Sequence, residues 1–145
     1  MAYSPFVPLR VFSSYTMLEG AIEPKAIAKA ARERGFPAIA ICDRNGLYGA
    51  MAFGDACKAA GVQPIVGALL SVARPGQRLA NGAPQIDWLA LFAQDETGYG
   101  NLCALVSHAH LGRPVEMDPH VTLADLAGRT EGLICLTAGS EGALT

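Results

Sequence analysis

His108 and His110 stand two residues apart and are the first groups in the chain that suggest metal chemistry. Two imidazoles on one helix share an ion when they are three or four residues apart, because those positions lie on one face. The segment around them reads as helical, and helical residues two apart point about 200° from each other. The pair therefore reads as two half-exposed histidines flanking an apolar stripe. Gly98-Tyr99-Gly100 opens a helix after a strand, as a dinucleotide-binding turn would, but Cys103 occupies the third glycine position. Ser140 lacks the elbow of a serine hydrolase, because Ala138 stands where its first glycine belongs. There is no Walker loop and no zinc-ligand spacing. Asp43 is different. It closes the apolar run 38–42, and α/β folds place ligand-binding and catalytic groups at the carboxyl ends of such strands. Asn45-Gly46 follows at once, so a turn carboxylate is the competing reading, and spacing alone favours it. Glu19, before Gly20, is either a second carboxylate aimed at the same face or a solvated turn residue.

The elements that must position these groups alternate in type. Residues 6–12 are rich in strand formers and predict a first strand. Pro24 suits a first helical position, Ala26, Ile27, Ala30 and Ala31 form one stripe, and Gly35 with Pro37 ends that helix. The run 38–42 reads as a strand buried on both faces. Ala50, Phe53, Cys57 and Ala60 mark a second helix closed by Gly61, and 64–73 predicts a third strand. Residues 74–86, rich in Pro, Gly, Gln and Asn, read as a surface loop, and 87–93 as a fourth strand. Leu102, Leu105, Val106 and Ala109 predict a third helix. A short capped helix from 122 or 123 to about 127, a strand over 132–137 and a helix start near Gly142 complete the pattern. Such alternation implies an α/β domain with a mostly parallel sheet.

Composition bounds the function. The 145 residues are 51% apolar and 17% charged, enough for a core and unlike a disordered chain. A net charge of −2 excludes a dominant basic face for non-specific nucleic-acid binding. The longest stretch free of Asp, Glu, Lys and Arg, 97–112, is too short for a membrane-spanning helix. The first residues show no secretory signal, and Cys42, Cys57, Cys103 and Cys135 form no C-x-x-C pair. Reduced thiols in a cytoplasmic protein are the expectation. Ala143-Leu144-Thr145 reads as the middle of a strand-to-helix connection, so residues 1–145 are expected to be a single domain cut from a longer chain.

Several ordered blocks carry a family resemblance: Phe6 to Gly20, Arg34 to Asp43, Asn45 to Gly49 and Ala60 to Gly67, with Gly98 to Leu102 and Gly132 to Leu136 at lower density. Together they resemble the opening of the bacterial DNA polymerase III alpha subunit, which begins with a polymerase-and-histidinol-phosphatase (PHP) domain. An error-prone paralogue shares that opening; Tyr15 to Gly20 is more similar to the replicative form. The resemblance implies a part of a distorted β/α barrel. In active members of the family, His, Asp, Glu and Cys ligands at the strand ends bind metal ions that activate water and hold a phosphate.

Carried over position by position, the resemblance places the family's H-x-H pair on Arg10 and Phe12, and its acidic ligand on Glu19. Its histidine after the aspartate falls on Arg44, its third-strand glutamate on Leu69, and its late Cys or Gly position on Gly139. A guanidinium has donors only and cannot ligate a cation. Two of them repel one, each by about 4 kcal/mol at 4 Å and an effective permittivity of 20. The expectation is a fragment with no metal, no cofactor and no catalytic residue, in which Glu19 and Asp43 are the residual ligand candidates and Arg10 pairs with one of them. The parent would be a DNA-directed DNA polymerase. This piece would give structural support to the rest of the alpha chain and a docking surface to the proofreading exonuclease subunit. It would meet DNA only through the parent and have no membrane contact. The alternative is a phosphoesterase of the same superfamily with a rearranged site built on Glu19, Asp43 and His108 or His110. Alone, the fragment is expected either to dimerise or to form a less closed sheet, because open strand edges pair with other chains.

Overall fold

The computed structural model describes residues 3–143. Leu144 and Thr145, read above as part of a strand-to-helix connection, lie outside the described residues. Helix α1 (Pro24–Glu33) begins at proline as expected, and strand β1 (Ala38–Arg44) follows the Gly35 stop. Helix α2 (Ala50–Ala60) ends at Gly61, whose φ of 72° is the left-handed conformation that glycine adopts without a Cβ penalty. Strand β2 (Gln63–Arg78) turns into β3 (Pro84–Ala93). Helix α3 (Glu96–Leu111) is capped by Asp95, which accepts from the Gly98 amide at 2.8 Å. Helix α4 (Leu123–Leu126), with Thr122 and Asp125 in a capping box, precedes β4 (Leu133–Leu136) and a 3₁₀ turn, Gly139–Glu141.

The α/β class stands, with a correction to the pairing. The sheet order is β1-β2-β3-β4, with β1 and β2 parallel and the other two pairings antiparallel. Helix α2 supplies the long crossover that parallel strands need, whereas the short turn 79–83 permits only a hairpin. The surface loop expected over 74–86 is largely strand, because Leu79 N–H closes the turn on Ala83 O at 2.8 Å, beyond the Pro75-Gly76 irregularity. Residues 6–12 form no strand. They run beside β1, which donates from Ala40 to Pro8 O at 2.9 Å and from Cys42 to Val11 O at 2.8 Å. Pro8 has no N–H to give in return, so no ladder develops. In place of a helix near Gly142 there is the 3₁₀ turn.

Side chains alternate between the two faces of the sheet. Ile39 and Ile41 pack with α1 and α2 around Phe53, while Ala68, Leu70, Val72 and Leu91 pack with Leu102 and Leu105 of α3. The opposite face buries Ala40, Cys42, Leu69, Ala90 and Phe92, with Leu9, Phe12 and Trp88 against them. Leu9, Phe12 and Ala138 lie against this second face, and Arg44 continues the Ala40–Cys42 side of β1.

Candidate functional site

The carboxyl end of β1 carries two neighbouring residues with opposite fates. Asp43 is 2% exposed and accepts three hydrogen bonds: Ser13 N at 2.7 Å, Ser13 Oγ at 2.6 Å and Thr16 Oγ1 at 2.7 Å. Three of its roughly four lone-pair sites pin the loop that follows residue 12. That loop folds tightly; a Cβ on Gly20 would stand 1.8 Å from Ser13 O. The loop returns Glu19 to the sheet, where it meets Arg44 Nε at 2.5 Å and Arg44 Nη2 at 3.0 Å.

Arg44 lies over two aromatic faces, 4.4 Å from the Trp88 ring centroid and 5.2 Å from that of Phe12. Its Nη2 also donates to Glu141 Oε1 at 2.8 Å. Arg10 donates to the other Glu141 oxygen and, at 3.4 Å, to Ala138 O, and it shares the Phe12 ring at 5.7 Å. Glu141 thus bridges two guanidiniums. The hydrogen bond from Arg44 holds the Glu19 carboxyl below its ordinary value, and Glu19 in turn raises Arg44. Burial pushes Glu141 up, but hydrogen bonds from Arg44 and Arg10 outweigh it and hold that carboxyl low. Cys42, beneath them on the inner face, is pushed up to about 12 by burial, so no thiolate ligand forms there near neutral pH.

The expected pairing of Arg10 with Glu19 or Asp43 is corrected. Arg10 pairs with Glu141, Arg44 takes Glu19, and Asp43 faces hydroxyls and an amide. The reason is the side of the strand: Asp43 projects opposite to Arg44 and is enclosed by the loop. Sequence reasoning passed over Glu141 and Trp88. Glu141 lies 97 residues from Arg44 and 131 from Arg10, beyond the reach of any spacing rule. Leu69 is fully buried among Ala40, Cys42, Ala90 and Phe92, and Gly139 begins the 3₁₀ turn with φ 62°.

The histidines go elsewhere. His108 Nε2 lies 3.0 Å from Asp125 Oδ1 beside α4, and His110 Nε2 lies 2.7 Å from Asn45 O. Gly98 serves α3 as the amide that Asp95 caps. Among the described residues, no three His, Cys, Asp or Glu side chains converge to hold a metal ion.

The fold and this geometry define the class of protein. The PHP domain profile matches residues 8–145, and the chain belongs to the PHP domain family. Along almost its whole length it is similar to bacterial DNA polymerases. It is 42% identical over 142 residues to DNA polymerase III subunit alpha of Caulobacter vibrioides, covering 94% of this chain and 12% of that protein. It is 36% identical to the Treponema pallidum subunit, covering 99% and 12%. It is 37% identical to an error-prone DNA polymerase of Anaeromyxobacter, covering 98% and 13%. The chain therefore spans about an eighth of the length of these relatives. Among solved structures, an amidohydrolase from Chromobacterium violaceum shares the fold at TM-score 0.56 and 19% identity, over 74% of this chain and 34% of that one. A candidate metal-dependent phosphoesterase from Bifidobacterium adolescentis matches at TM-score 0.55 and 13% identity, over 77% and 36%.

The PHP fold implies a divalent-metal cluster at this end of the sheet, and the residues present do not fit one. Arg10 and Arg44 offer donors only, Phe12 and Leu69 offer no lone pair, and the Glu19, Glu141 and Asp43 carboxylates are engaged by protein donors. Among the described residues, no helix is long and apolar enough to cross a membrane.

Proposed function

We propose that this chain is the opening domain of a DNA polymerase III-type alpha chain. In this reading it is catalytically silent, and it serves as structural support and as the docking surface for a proofreading exonuclease subunit. The parent is a cytoplasmic DNA-directed DNA polymerase, a nucleotidyltransferase of DNA replication, and DNA contacts belong to the rest of that chain. The observation that carries the silent role is the pair of guanidiniums, stacked on Phe12 and Trp88, at the strand ends where the family resemblance places metal ligands. The phosphoesterase alternative would need Glu19, Asp43 and a histidine together; His108 and His110 are instead bound to Asp125 and to Asn45 O.

Docking is supported by the loop that Asp43 pins. Tyr15, Met17 and Leu18 are 48%, 81% and 104% exposed, and Leu18 is held at φ 71°, a region leucine rarely occupies. Tyr15 packs beside Gly49, and Tyr48 and Met51, near that glycine in sequence, are 62% and 73% exposed. Exposed apolar clusters of this kind mark interaction sites. Two measurements test the reading. In the full-length polymerase, Met17→Asp with Leu18→Asp is expected to weaken binding of the separately purified exonuclease by at least about tenfold, equivalent to about 1.4 kcal/mol. Unchanged binding refutes the docking surface. The isolated chain with manganese or zinc is expected to leave nitrophenyl phosphate intact; hydrolysis lost on Asp43→Asn refutes the silent role.

A further inference from the structure

We propose that the furrow between α1 and α2 is a docking groove for an amphipathic helix of a partner protein, one whose apolar ridge is flanked by acidic side chains. The two helices lie side by side and run in the same direction. A Cβ on Gly49, before α2, would stand 3.3 Å from Pro24, and one on Gly61, after it, 3.5 Å from Arg32. Ile27 and Ala31 of α1 and Phe53 and Cys57 of α2 pack inward with Ile39 and Ile41 of β1. Between the outer faces lies a cleft of about 1050 Å³. Ala26, Ala52, Ala56 and Ala59 line it with methyl groups, too short to fill the space between the helices. Every charged residue of its lining is exposed at the banks, so no buried polar group is present to fix a small molecule. An apolar groove of this kind suits a helix that anchors side chains at every third or fourth position. Helix α1 has ten residues, about 15 Å, which matches about three turns of such a partner.

The banks say which helix fits. Lys25, Lys29 and Arg32 follow one another along α1 at spacings of four and three, which puts them on one side of it. Across the cleft, α2 contributes Asp55. Glu23 and Glu33 stand at the two ends of α1. Glu33 reaches Lys29 only at 3.9 Å, with the side chains 65% and 78% exposed, a pair too weak to occupy the ammonium group. The middle of the α1 bank is therefore cationic, and it favours Asp or Glu on the partner edge that meets it. A second copy of this face offers only alanines and charged side chains from its own groove, with no large apolar group among them to fill the cleft.

The position of the groove supplies a second, independent observation. The Tyr15 ring occupies the corner where Pro24 meets Gly49; the same Cβ on Gly49 would stand 3.1 Å from it. The groove thus opens at that end onto the loop that bears Tyr15, Met17 and Leu18. A partner seated on this loop has the groove alongside. That continuity rests on the docking reading above; the charge pattern does not.

Fluorescence anisotropy on the 145-residue chain tests the groove with two labelled synthetic peptides of about 16 residues, long enough to form a helix. Both carry leucine at every third or fourth position; one flanks the leucines with glutamate and the other with lysine. The glutamate peptide is expected to bind at least about tenfold more tightly than the lysine peptide. Lys25→Glu with Lys29→Glu is expected to reverse that preference. Ala52→Trp with Ala59→Trp, both at exposed positions, is expected to fill the cleft and weaken the glutamate peptide by about tenfold or more, with the fold checked by urea unfolding. The proposal is overturned if neither peptide binds, if both bind equally, or if the preference survives charge reversal. Self-association of the chain that disappears in the tryptophan variant, read by light scattering, overturns it too, by identifying a second copy as the occupant. The response of exonuclease binding to Met17→Asp with Leu18→Asp in the full-length polymerase decides the docking reading separately, so either can fail alone.

Discussion

Asp43, at the end of a buried strand, holds a loop in place. Its position at a strand end is what a general base or metal ligand would have, and the Asn45-Gly46 turn beside it suits a plain turn carboxylate equally. In the fold it holds three hydrogen bonds from Ser13 and Thr16 and is 2% exposed. Asp43→Ala would strand two hydroxyls and an amide in a buried place, at an expected loss of about 2–4 kcal/mol. Urea unfolding reads this directly, and a loss below about 1 kcal/mol would show that the loop does not depend on Asp43. The partners are not the Asn45-Gly46 neighbours that suggested a turn carboxylate. They come from 30 and 27 residues upstream.

At the scale of elements, Arg44 ties three pieces together: the loop bearing Glu19, strand β1, and the 3₁₀ turn bearing Glu141. These partly exposed ion pairs are screened, and their worth lies in geometry as much as energy. Both carboxyls lie below their ordinary 4.5 in the fold. The unfolded chain therefore takes up protons first as pH falls. The stability these groups contribute is complete above 4.5 and is lost as pH drops through their lower folded values. Thermal unfolding is expected to show Tm falling below pH 4.5, with a flatter fall in a Glu19→Gln, Glu141→Gln variant. Equal slopes in the two proteins would contradict this. The helices α1, α2 and α3 were legible from apolar spacing, because each buries one stripe. The β2–β3 hairpin was not, because Pro75 and Gly76 mimic a loop inside a strand. The expected first strand failed for the converse reason: good strand formers surround a proline that cannot complete a ladder.

Considered whole, the molecule is an open sheet with helices on one face. Among the described residues, β4 pairs with β3 alone, and Ile134 and Leu136 are 49% and 39% exposed. A free edge bearing apolar side chains favours pairing with another strand. The 145-residue chain is expected to associate with rising concentration in light scattering, and Ile134→Lys with Leu136→Lys to return it to the mass of one chain. A wild-type chain that stays monomeric at about 100 µM would contradict this, since association weaker than that is worth less than about 5.5 kcal/mol. In a longer protein the same edge is available to the chain's own further strands. The sequence by itself determined the α/β class, the helices, the strand that presents Asp43 and Arg44, and the family, because these follow from local periodicity and from ordered blocks of residues. The tertiary structure alone decided which charges meet. Glu141 reaches Arg10 and Arg44 because β4 returns beside β3, and Asp43 turns away from them because successive residues of a strand face opposite sides.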